Sequence, residues 1–165
     1  MIVITKKTLH TFAWIVLFQL IGFCLGQITK ANMEWYYTIT KSSLTPPNFV
    51  FSLVWTVLYV ILALIGKFLW VNRQEQRVKR ILKFFVIQLI FNWIWTPIFF
   101  SIHLTGISSL IIVIIVIITA YIVIKSWRYY PVIAYAMIPY FFWLTFAAYL
   151  NLVIWYEETI VVYQY

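Results

Sequence analysis

Residues Thr45 to Trp70 read TPPNFVFSLVWTVLYVILALIGKFLW, and this stretch decides the fold. Pro46 and Pro47 stand where a helix can begin, because proline's fixed φ suits a first turn and its missing N–H is no loss there. More than 20 residues follow with a single charge, Lys67. At about 1.5 Å per residue, such a helix crosses a hydrocarbon layer of about 30 Å. Within it Trp55, Tyr59 and Leu62 fall at i, i+4 and i+7 and share one helical face. Two aromatics with polar tips, aligned below a proline-marked mouth, suit a buried ligand-binding wall. Ordinary packing is the commoner use of such a stripe.

The rest of the chain shares this character. Its 165 residues are 65% hydrophobic and 10% charged, whereas a soluble domain carries about 25% charge. This is the composition of an all-α membrane protein, with room for five spans on short loops and none for a separate soluble domain. The single cysteine, Cys24, excludes an intramolecular disulfide and is expected to fill a small buried apolar position. A net charge of +8 would fit nucleic acid, but the charges cluster beside apolar runs, where they report orientation and lipid headgroups.

Spans are expected at about 9–28, 49–71, 84–102, 107–124 and 132–156. The first is too long for a signal peptide and lacks a small-residue cleavage site. On it Gln19, Gly22, Phe23 and Gly26 share a face, and the GxxxG of Gly22 and Gly26 admits a second helix at close range. The polar interval 29–45 holds Trp35, Tyr36 and Tyr37, which could cover a pocket mouth but are expected to anchor the chain at the membrane interface. The third span carries Gln88, Asn92, Trp95 and Phe99 on one stripe, with a kink expected from Pro97. The fourth is almost wholly Ile and Val and is expected to face lipid. The fifth places Pro139, Trp143, Ala147 and Asn151 at successive i+4 steps.

Basic residues fix an expected orientation. Ten (Lys6, Lys7, Lys67, Arg73, Arg77, Lys79, Arg80, Lys83, Lys125 and Arg128) fall on one side and two (Lys30 and Lys41) on the other. Lys and Arg are retained on the cytoplasmic face, so the N-terminus is expected inside and the C-terminus outside.

The predicted spans contain no Asp or Glu, which argues against a proton relay or an ion-coupled pump. His10 and His103 sit near opposite span ends and cannot share a metal. No Ser-His-Asp or Cys-His set and no glycine-rich phosphate loop is present, so no conventional catalytic constellation exists. Uncharged polar groups remain: Gln19, Thr56, Gln88, Asn92, Thr145 and Asn151. Lipid offers them no partner, so each must hydrogen-bond between helices or line a cavity. Interhelical bonding is the reading for Gln19 and Asn151; Asn92 beside Trp95, set against Trp55 and Trp143, is the candidate for a cavity.

Pro46-Pro47, Phe51 and the run Val54-Trp55-Thr56-Val57-Leu58-Tyr59 together resemble the second-helix signature of the TspO/translocator protein family, the tryptophan-rich sensory proteins. Trp35-Tyr36 with Lys41 resembles the family's first loop, and Asn92-Trp93-Ile94-Trp95 with Phe99-Phe100 its third helix. Pro139-Tyr140, Trp143, Phe146-Ala147 and Leu150-Asn151 resemble its fifth. The chain departs from the family at Ser42, Leu44 and Leu62-Ala63, where Pro, Trp and Met-Gly are usual. The cholesterol-contact motif of animal members is missing, since no Lys or Arg follows Tyr149 or Tyr156.

The resemblance implies a five-helix bundle in the bacterial cell membrane, paired as a homodimer, with a pocket opening toward the first loop. It implies porphyrins such as protoporphyrin and haem as ligands, together with drug-like apolar molecules, and no required cofactor. By the same resemblance Trp55, Asn92 and Trp143 line the pocket, with Pro47, Tyr59, Trp95, Ala147 and Leu150 nearby. A sensor or carrier of tetrapyrroles is the leading reading. Light- and oxygen-dependent porphyrin breakdown and transport of small apolar molecules are the alternatives.

Overall fold

The computed structural model describes residues 6–163, and side chains over 8–160. Lys6 and Lys7, counted above for orientation, therefore lie outside the described side chains. Six helices follow in order: α1 (Lys6–Ala31), α2 (Met33–Thr38), α3 (Asn48–Val71), α4 (Gln76–Phe100), α5 (Thr105–Trp127) and α6 (Pro131–Tyr163). All but α2 are long and apolar enough to cross a membrane. The long helices alternate in direction and close a ring in the order α1, α3, α6, α5, α4 and back to α1, with α3 also touching α4 across the middle. One end of this ring carries the basic turns at 72–75 and 128–130, and the other carries α2.

Several expectations change. Helix α4 begins at Gln76 rather than near 84, because Val78, Ile81 and Phe85 form a buried row while Arg77, Lys79, Arg80 and Lys83 lie exposed around it. The charges hide a helical period that packing reveals. Pro97 lies inside α4, as the span expected at 84–102 has it. Helix α6 runs to Tyr163 rather than 156, and α2 was not foreseen at all.

The larger correction concerns α5. Its buried residues include Thr105, Ser108, Ile112, Ile115, Thr119, Ile122 and Ser126, at alternating steps of three and four. That is the seam of a helix packed on two neighbours, and α5 does pack on both α4 and α6. The small hydroxyl residues let backbones approach, and the isoleucines between them interdigitate. Helix α1 is the most exposed of the long helices: Phe18 is its only buried side chain among the described residues. Cys24 lies exposed on it instead of filling a buried position.

Candidate functional site

The bundle is solid at its basic end and hollow at the α2 end. A cavity of about 810 Å³ takes its lining from all six helices. On every long helix the lining residues lie in the part nearer α2, such as Trp55 and Tyr59 on α3, Asn92 to Phe100 on α4, and Leu144 to Ile154 on α6.

Tyr59, Asn92, Gln19 and Thr56 give it a polar floor. Tyr59 donates its hydroxyl to Asn92 Oδ1 at 3.2 Å, and just beneath, Tyr140 donates to Gln88 Oε1 at 2.7 Å. Gln19 Nε2 donates to the Thr56 carbonyl at 2.8 Å, tying α1 to α3 at the same level. Each is a cross-helix bond, as membrane-buried polar groups require.

Aromatic rings make the walls, and they are braced. Trp95 stacks on Phe99 with centroids 5.2 Å apart and planes 11° from parallel. Its indole N–H donates to Asn151 Oδ1 at 2.9 Å, while Asn151 Nδ2 donates to Ser109 Oγ at 2.9 Å and the Thr105 carbonyl at 3.2 Å. Asn151 thus locks α4, α5 and α6 together behind the tryptophan. Trp55 leans on Tyr59 at 5.7 Å.

The two glycines of α1 act differently. A Cβ at Gly22 would come within 2.9 Å of the Tyr59 ring, so this glycine lets α3 close against α1. A Cβ at Gly26 would meet nothing within 4 Å. One turn beyond the contact the helices part, and Gly26 faces the cavity.

Helix α2 covers the mouth. Tyr36 is buried and packs on Phe99 and Phe100, and with Met33 and Tyr37 it lines the cavity. Trp35 stacks on His103 at 3.9 Å, where a left-handed backbone (φ 59°) turns α4 into α5. Tyr36 and Trp35 thus take up the covering position over the pocket mouth. Lys41 fastens this cover: its ammonium donates to the carbonyls of Tyr36 at 2.6 Å and Ile39 at 2.8 Å and lies over the Tyr36 ring. Burial lowers the Lys41 pKa and raises that of Tyr36, as desolvation disfavours each charged form.

Of the residues picked out in the sequence, Trp55, Tyr59, Asn92, Trp95, Ala147 and Leu150 all line this one cavity. Trp143 and Pro47 do not. Trp143 is half-buried behind Phe51, with centroids 5.5 Å apart, and Phe51 presents its ring to the space instead. Pro47 is exposed just before α3. The sequence reading left out the floor isoleucines Ile112 and Ile115, because the uniform apolarity of α5 hid which face turned inward.

The chain matches the sequence model of the TspO/MBR family over residues 13–156. It is 30% identical over 140 residues to the tryptophan-rich protein TspO of Archaeoglobus fulgidus, covering 82% of this chain and 88% of that one. With the protein of the same name from Chlorobaculum tepidum it shares 30% identity over 138 residues, 81% of this chain and 86% of the other. The human translocator protein is 28% identical over 126 residues, 75% of each chain. A match of this extent, on a bundle whose length and apolarity suit a bilayer, makes this chain an integral membrane protein belonging to the TspO/MBR family.

Proposed function

We propose that this protein binds flat aromatic ligands of the tetrapyrrole class, such as protoporphyrin or haem, and related drug-like apolar molecules, in the cavity beneath α2, and acts as their membrane sensor or carrier. One observation carries the reading: a chamber of about 810 Å³ walled by braced aromatic rings and floored by a few oriented polar groups. Ligand sites of about 300–1,000 Å³ with that division of labour are the common kind. A porphyrin's wide π-face suits the rings of Trp55 and Trp95. The names of the relatives, sensory and translocator proteins, support the same class of role. The basic residues at the end opposite α2 support a cytoplasmic placement of that end, so that the cavity opens on the outer side.

The test is a fluorescence-quenching titration with protoporphyrin in detergent. Trp55→Ala should weaken binding about fivefold or more, a loss of about 1 kcal/mol of aromatic contact. Unchanged affinity in that variant would exclude this cavity as the site.

A further inference from the structure

We infer that Lys30 makes the cavity selective for planar ligands bearing a carboxylate at one edge, seated with that acid at the mouth and the ring against the aromatic wall; the inference rests on the binding function proposed above. Among the described residues that line the cavity, Lys30 is the one cation, and no Asp, Glu or Arg joins it. It projects from the last turn of α1, exposed at the α2 end. The other basic residue of this side, Lys41, is held by two backbone carbonyls and does not line the space. Lys30 has no hydrogen-bond or ion-pair partner among the described residues.

A cation at the lip of an apolar chamber acts at a lower dielectric than one in open water, so it discriminates by ligand charge. A carboxylate gains an ion pair, a neutral ester does not, and an amine meets repulsion with no acid in the cavity lining to offset it. The polar floor is uncharged and contributes no charge discrimination of its own. Orientation follows as well, because the acid edge has a charged partner only at the mouth.

A lipid phosphate is an oxyanion too, and the experiment separates the two sources. Protoporphyrin and its dimethyl ester are titrated against the full chain in maltoside micelles free of phospholipid, then with phosphatidylglycerol added. The diacid is expected to bind about fivefold more tightly than the ester, the upper range for a partly exposed ion pair. Lys30→Gln should abolish that preference by weakening the diacid alone, and Lys30→Arg should retain it. Phosphatidylglycerol should weaken the diacid without removing its advantage. Equal effects of Lys30→Gln on both ligands, or none on either, would overturn the inference while leaving the binding site intact. A preference that vanishes once phosphatidylglycerol is present would assign Lys30 to lipid and overturn it as well. Failure of both ligands to bind the unaltered protein would instead sink the binding function itself.

Discussion

The two ends of the bundle are built from different materials. Toward the basic turns, Leu62, Leu69, Val78, Ile122 and Met137 are all at 0% exposure. These are flexible or branched aliphatics that interdigitate until no space remains. Toward α2, the inward residues include the rings of Trp55, Trp95, Phe99 and Phe51, and there the bundle is hollow. Flat rings braced by one another and by Asn151 cannot slump into the space they enclose. The layer of Tyr59, Asn92, Tyr140 and Gln88 marks the border. One half therefore holds the fold and the other holds a shape, and stability and binding should separate along that border.

Substitutions sharpen this contrast. The largest stability effect is expected in the solid half: Met137→Ala should cost about 2–5 kcal/mol while leaving ligand affinity within twofold, read by thermal unfolding and titration in the same detergent. At the border, Gly22→Ala should destabilise by about 1–3 kcal/mol, since the new methyl group meets the Tyr59 ring. The same change one turn on, Gly26→Ala, should stabilise by about 0.5–1 kcal/mol, because the cavity leaves room and alanine favours the helix. Opposite signs at these two positions would establish where α1 and α3 part. Equal signs would place the contact elsewhere. Trp55→Ala should stand apart from these, with its distinguishing consequence in ligand affinity.

Much of the hollow half was legible because its chemistry is unusual for lipid. Asn92 and Asn151 need partners in a membrane, and Trp55 and Tyr59 share a stripe, so both features point inward. The solid half gave weaker signals. On α5 most residues are apolar, and only the hydroxyls of Thr105, Ser108, Ser109, Thr119 and Ser126 mark the buried side. On α4 the charges of Arg77 to Lys83 outweighed a row of buried Val78, Ile81 and Phe85. Trp143 shows a further limit. Its helical face is the inward one, but depth and the intervening Phe51 ring are set by how α3 meets α6, which no single-helix pattern contains. The cover formed by α2 depends likewise on a stack between Trp35 and His103, far apart in the chain.

The direct test sets the two tryptophans side by side. Porphyrin titrations of Trp55→Ala and Trp143→Ala should show the first losing about fivefold or more in affinity and the second clearly less, since Trp143 does not line the cavity and touches Phe51, which does. Equal affinities for both variants and the unaltered protein, or a greater loss at Trp143, would contradict a site in the hollow half as described.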